Sequence, residues 1–469
     1  MKRTKIKYLR QVIWKKPLRE RRVREHGRRA LYISISVVLI LLLFVFIFFL
    51  FPQTYLDGYI KNRVTDAFAK SYPEYSLKIA DVNFSVLKNS IEFDSIFLSK
   101  KDSTFSFRIN SSSLIKINWI QILRGGKNSS GSISGADLDA KGITLNFNQS
   151  QYQIECRHAH ISTHDSLIVA DSVEFHPLIT DEQLFAESKF RNTSYRLFIS
   201  RIGINGLVYS GLLYGNNYSI HSINIRDALI DILVNMDKPF DTKSPSPLMP
   251  GEALNSIKDT ICVDSIKVIN GSLNYKERYE VGAKPALLTF NNIQAVVYRI
   301  ANHTRLPDTT VIQAQGNLMN RSNMKLLLSI PTGTPKFSLN YSGSLQEMEV
   351  SSLNKFLEIS EHQRIKSGLL KYSSFNINVN SGYAAGLVSA EYNDLSIAAL
   401  DKNTGSEKGI INRISSFMTK TFILKANNMP DKSGSIRVGV IKYRRKPDDT
   451  FFQFVWFALR GGILNVIGF

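Results

Sequence analysis

The chain has 469 residues, 43% of them hydrophobic, and a formal net charge of +20. Residues 1–30 hold thirteen Lys/Arg against Glu20 and Glu25, a net of +11, so more than half of the excess charge sits in one tail. That distribution excludes a nucleic-acid-binding face and points instead to membrane topology and contact with anionic headgroups. Two cysteines, Cys156 and Cys262, are too few to frame a chain of this length with disulfides.

Leu31–Phe51 is an uncharged run of 21 residues. As a helix it spans about 30 Å, the thickness of a bilayer's hydrocarbon core. The basic residues before it place 1–30 in the cytoplasm and the bulk of the chain across the membrane. A cleaved signal peptide is the alternative, but FFLFPQ offers no small-residue cleavage site. The expectation is a single-pass signal anchor over 31–51.

Residues 53–72 read as an amphipathic helix, with Leu56, Ile60, Val64, Ala67 and Phe68 at a 3.6 period and Pro73 as its stop. From there the period becomes two. Val82/Phe84/Val86, Ile91/Phe93, Ile143/Leu145/Phe147, Ile230/Ile232/Val234, Leu326/Leu328/Ile330, Phe337/Leu339/Tyr341 and Phe375/Ile377/Val379 all alternate with polar residues. This is the pattern of antiparallel sheet with one apolar face. Helices are expected only near Trp119–Leu123, over Ser352–Ile359, and twice near the C-terminus.

A degenerate repeat runs through the strands. Ile133, Ala136, Leu138, Ile143 and Leu145 recur as Ile220, Ile223, Ile225, Ile230 and Ile232, then as Val263, Ile266, Val268, Leu273 and Tyr275. Two strands separated by a turn would give that spacing, and repetition of one unit suggests growth along an axis. Asp237–Ser256 carries Pro239, Pro245, Pro247 and Pro250 and reads as a boundary or long loop. The chain thus divides into a basic tail (1–30), an anchor (31–51), a β domain (52–237), a Pro-rich linker or loop (238–256), a second β block (257–400) and a C-terminal region (401–469). In the last, a polar linker at 401–410 precedes an amphipathic helix over Ile410–Asn428 and a strand over Gly434–Tyr443.

The order of these elements resembles the AsmA family of bacterial envelope proteins. The likeness is carried by the anchor followed by VNFSVLKNSIEFDSIFLSKKDSTFSFRINSSSLIKINWIQILRGGKNSSGSISGADLDAKGITLNF, then by VDSIKVINGSLNYKE…LLTFNNIQAVVY and LNKFLEISEHQRIKSGLLKYSSFNINVNSGYAAGLVSAEYNDLSIAAL. It covers about 52–400, on pattern and order rather than on a catalytic signature. The resemblance implies an inner-membrane anchor of a Gram-negative envelope. It also implies a periplasmic, chorein-like β-groove that carries phospholipid acyl chains towards the outer membrane. A stacked groove of about 20 strands would reach roughly 95 Å.

The expected fold is therefore mainly β: a transmembrane helix, then an elongated, repeat-built antiparallel groove with few short helices. The expected function is lipid binding or transfer in support of outer-membrane phospholipid supply, with no enzyme activity. The partners are phospholipid, the inner membrane, and an outer membrane or outer-membrane protein, without nucleic acid. The candidate lining residues are Val82, Phe84, Ile91, Phe93, Ile143, Leu145, Ile230, Ile232, Ile266 and Val268, each equally suited to an ordinary core. The rival is an anchored scaffold with a closed β-sandwich that assists outer-membrane protein assembly.

No phosphate loop, nucleophile elbow or carboxylate pair is visible. Cys156, His158 and His160 would share one face of a regular strand, with His164, Asp165 and His176 nearby. No carboxylate or second cysteine motif closes that set, so no metal and no cofactor is expected. The C-terminal run from Phe451 admits three readings: a helix plugging the end of the sheet, a contact with a membrane or partner, and a second span. Arg444, Arg445, Phe451, Phe452 and Trp456 would make the membrane contact. Arg460 and Gly461-Gly462 argue against a span and suggest a short helix over Asp448–Leu459.

Overall fold

The structure, a computed structural model, describes residues 38–43, 53–85, 88–116, 135–209, 217–303, 308–332, 336–402, 404–410, 413–414 and 422–468. Of the expected anchor, residues 38–43 are helical and their side chains are exposed; the rest of 31–51 lies outside the described residues. Among the described residues no helix is long and apolar enough to cross a membrane. The expected helix near Trp119–Leu123 also lies outside them.

Helix α1 (Gln53–Ser71) packs against the first strand, and Lys61 donates to the Ala80 carbonyl at 2.8 Å. One long sheet follows. Its first half is a meander of β1 (Tyr75–Ser85), β2 (Ser90–Lys100), β3 (Phe105–Ile115), β4 (Asp137–Phe147), β5 (Tyr152–Ser162), β6 (Leu167–Pro177), β7 (Thr193–Asn205) and β8 (Asn217–Asn235). The second half comprises β9 (Thr260–Arg278), β10 (Ala286–Ala301), β11 (Asp308–Leu318), β12 (Ser322–Thr332), β13 (Leu339–Leu345), β14 (Met348–Glu349), β15 (Gln363–Asn380), β16 (Tyr383–Leu400) and β17 (Glu407–Ile410). A two-stranded pair, β18 (Arg413–Ile414) and β19 (Phe422–Ile423), stands apart, and β20 (Val438–Arg444) closes the main sheet against β16. From β1 to β20 this path makes fifteen strand steps, about 72 Å at ~4.8 Å each.

Among the described residues every strand pairing is antiparallel except β8–β9, which is parallel over Asn217–Asn235. A hairpin cannot join parallel strands, so the chain must cross back. The Pro-rich segment makes that crossing. It is tied down rather than loose: Met249 is fully buried, Lys238 Nζ donates to the Phe185, Ala186 and Ser188 carbonyls, and Arg445 grips Glu252 at 2.9 Å. It also carries helix α3 (Pro250–Ser256). The pairing of β8 with β9 makes the two β blocks continuous through the sheet.

The repeat has a different cause from the one its spacing suggests. At the same level on each strand of the first half one residue is skipped in the pairing, while the register on either side of it stays unchanged: Ala80, Ser95, Asn110, Gly142, Arg157, Ser172, Ser200 and Asp227. On alternate strands this residue is left-handed, at Ser95 (φ 47), Gly142 (φ 63), Ser172 (φ 52) and Asp227 (φ 50). No residue is gained or lost between partners, so these are kinks shared by neighbouring strands, and across them the inward positions step by three, as from Ile79 to Val82. Ile225 and Ile230 therefore face the same way from one strand, on either side of Asp227. In the second and third copies the offsets belong to single kinked strands, β8 and β9, not to hairpins.

Helices α2 (Asp181–Glu187), α3 and α4 (Asn354–Ser360) are short, at seven residues each. Helix α2 begins with a capping box, Thr180 with Gln183, and Asp181 pairs with Arg196 at 2.7 Å. Helix α4, entered through a 3-10 turn at Val350–Leu353, occupies the place expected for Ser352–Ile359. The amphipathic helix expected over Ile410–Asn428 is absent from the described part of that stretch, which holds β18 and β19 instead.

Helix α5 (Phe451–Ile467) is longer than expected and runs through Gly461-Gly462 without a break. Thr450 and Gln453 form its capping box, and left-handed Gly468 (φ 108) ends it. It lies on β16 and β20, with Phe454, Ala458 and Val466 buried against Tyr341, Ile377, Val388 and Ile441. Those residues form the largest buried core.

Candidate functional site: an apolar face across the sheet

Because the kinks fall at the same level on neighbouring strands, the apolar side chains of successive strands stay in register. One row passes through Phe84, Ile91, Leu114, Leu138, Ile161, Ile168, Ile204, Ile223, Ile266, Val297, Ile312, Leu328, Tyr341, Ile377, Gly386 and Ile441. It crosses the whole sheet without a charged residue. Beside it runs a row of smaller side chains: Val82, Phe93, Ser112, Ala140, Ala159, Ala170, Ile202, Ile225, Val268, Ala295, Ala314 and Leu326. Beyond the kinks come Ile79, Ile96, Ile109, Ile143, Cys156, Val173, Ile199 and Ala228. The outermost row is Leu77, Leu98, Phe107, Leu145, Ile154, Phe175, Leu197, Ile230, Leu273, Phe290 and Leu318.

All ten candidate lining residues lie on this face. Val82, Phe84 and Ile91 are buried together at the β1 edge, with Phe93 packed on them. Ile143, Leu145, Ile266 and Val268 are half-buried. Ile232 is buried in a cluster with Tyr275 and Phe356, whereas Ile230 is 39% exposed. Sequence reasoning passed over Ala140, Ala159, Ala170, Ala295 and Ala314. Their signal was the three-residue offset, such as Ala140 to Ile143 or Cys156 to Ala159, which a mid-strand kink produces on one face.

The face is covered unevenly. From β12 to β20, α5 and the crossover segment bury it. From β3 to β8 its side chains, such as Ile109, Ile154, Val173, Leu197 and Ile204, are half-buried. No second sheet larger than the β18–β19 pair stands among the described residues to close a sandwich over them.

Over β3 to β6 the opposite face is mostly polar, whereas further along it exposes Phe198, Leu229, Leu327, Leu387 and Val440. The kink at Arg157 puts Cys156 on the apolar side and His158 and His160 on the other, so the three do not share a face. His158 lies 3.2 Å from Asp139 and 3.5 Å from Asp171; His160 lies 3.0 Å from Asp139. Burial pushes the Cys156 thiol upward in pKa. Cys262, on β9, is also free; the two cysteines stand four strands apart, about 19 Å, beyond the ~7 Å reach of a disulfide. Glu155, Glu174 and His176 come together at the surface, with no buried partner to make a site of them.

At the C-terminal end, the residues expected at a membrane are mostly turned towards the protein. Arg445 holds Glu252 and the Pro247 carbonyl, with its guanidinium 5.7 Å from the Phe337 ring. Trp456 packs edge-on to Phe356 at 6.1 Å, and Phe452 leans on Tyr275 at 5.7 Å. Phe451 helps line a cavity beneath α5. Arg444 remains exposed, over the Tyr383 ring. Arg460, which argued against a span, pairs with Glu361 at 2.8 Å, and burial holds that carboxyl above its ordinary range. No family model and no curated protein matches this chain.

Proposed function

We propose that the chain is a membrane-anchored, non-enzymatic lipid-binding protein of a cell envelope, whose apolar face forms a groove for phospholipid acyl chains. The observation that carries this reading is the set of unbroken apolar rows from β1 to β11. Their stretch over β3–β8 is left half-buried by the described residues. Apolar area left in water costs about 25 cal/mol per Å², and a sheet face of this kind needs a covering layer. Acyl chains supply one without any catalytic group. The uncharged run at 31–51 and the basic tail support an anchor, which would hold the β1 end near the inner membrane. The open stretch, β3 to β8, measures about 24 Å, which suits a carrier or one segment of a relay between membranes. The scaffold reading needs a second sheet over the same rows.

Photo-crosslinking in the full-length chain in its own membrane tests this. A benzophenone side chain at Leu145, Ile154 or Ile230 should capture phospholipid, identified by mass spectrometry of the modified peptide. The same group at Arg108 or Lys141, on the opposite face, should not. Equal capture on both faces, or none on either, sinks the groove. Topology is checked separately: a reporter active only in the cytoplasm should work at residue 28 and fail at residue 60.

A further inference from the structure

Helix α5 also roofs a cavity of about 240 Å³ between itself and the sheet. Phe452, Val455 and Leu459 form the roof; Leu273, Ala314 and Leu328 are part of the floor. No charged side chain lines it. It exceeds the ~150 Å³ apolar cavities that stay dry and admit benzene.

Its position gives it a direction. The row of small side chains runs along the face between rows of Ile, Leu and Phe, and it enters the cavity floor at Ala314. On the β9 side, Leu273 is the register partner of Ile230, 39% exposed, and Phe452 above is 42% exposed. The cavity therefore opens towards the uncovered face. On the far side the fit is tight: a Cβ on Gly439 would stand 1.9 Å from the Gly462 carbonyl oxygen. The trough is blind at this end.

We propose that the cavity under α5 is the terminal subsite for the methyl end of a phospholipid acyl chain, with α5 as its stop. This rests on the lipid-binding reading above. A headgroup is excluded from the cavity because burying its charge without a partner costs several kcal/mol. The lipid therefore lies tail towards α5 and headgroup towards β1, and it enters and leaves from the open stretch, not past β20.

The test uses the full-length protein in vesicles of phosphatidylethanolamine with a diazirine at the acyl terminus, compared with one beside the headgroup. After illumination and digestion, the terminal label should modify α5, at Phe452, Val455 or Leu459, and the headgroup-side label should not. Ala314→Phe fills the cavity and should abolish labelling of α5 while leaving that of β3–β7 unchanged. If both labels mark α5 equally, or if β3–β7 is labelled and α5 never is, the subsite is refuted and the groove stands. No adduct on any strand refutes the groove itself. Should Ala314→Phe fail to accumulate, the comparison of the two labels in the unmodified chain decides alone.

Discussion

Gly461 and Gly462 are neighbours in α5, and an added methyl should act on them in opposite directions. A Cβ on Gly461 meets nothing within 4 Å, and the residue is exposed. Gly461→Ala should therefore stabilise by up to about 1 kcal/mol, the helix-propensity difference. At Gly462 the same atom would stand 2.5 Å from Ile441 Cγ1 and 2.6 Å from Val388 Cγ1. Ordinary carbon contacts lie near 3.5–4.0 Å. Ile441 and Val388 are themselves 0% and 2% exposed, so neither can swing aside. Overpacking of this kind costs about 1–3 kcal/mol, more when backbone must move, and it outweighs the propensity gain. The propensity gain is common to both, so the two variants should differ by the overpacking cost, about 1–3 kcal/mol, in urea unfolding of the full-length protein. Trp456 fluorescence reports the helix locally. If Gly462→Ala is as stable as Gly461→Ala, α5 is not seated on β16 and β20, and the blind end of the trough goes with it.

Further outcomes follow from the same packing. Ile232→Asp buries an unpaired charge and should cost several kcal/mol. Ile230→Asp, at a 39% exposed position, should leave folding within about 1 kcal/mol while removing lipid capture; unfolding of both alike would favour a closed core. The Tyr341 hydroxyl is buried without a partner, so Tyr341→Phe should be neutral or stabilising, by up to about 1–3 kcal/mol, and a loss of that size would reveal a missed hydrogen bond. Burial raises the pKa of Glu361, against the pull of Arg460, and that of Asp449. Carboxyls with raised folded-state pKa favour the folded state more as pH falls towards the ordinary carboxylate range. Seating of α5, read by Trp456 fluorescence, should therefore tighten on mild acidification, and Glu361→Gln with Asp449→Asn should flatten that response.

The residues alone determined that the chain is mainly sheet with one apolar face, because side chains alternate across a strand and the period of two is local. They also determined the helix at Gln53–Ser71 and the placing of the ten candidate positions on the apolar side of the sheet, because alternation sends every second side chain to one face. What the pattern could not show was the phase. Apolar offsets of three and five read as turns between hairpins, yet a left-handed Ser95, Gly142, Ser172 or Asp227 in mid-strand produces the same spacing within one strand. Only pairing with neighbouring strands distinguishes the two, and that pairing also separated Cys156 from His158. The parallel step at β8–β9 was equally hidden, because two strands look the same from sequence whichever way they run. The length of α5 was a tertiary decision as well. Gly461-Gly462 weakens an isolated helix by about 1 kcal/mol per glycine, but here the missing side chain of Gly462 lets the helix backbone rest on Gly439. Close packing then holds in place a helix that local propensity would have ended at Leu459.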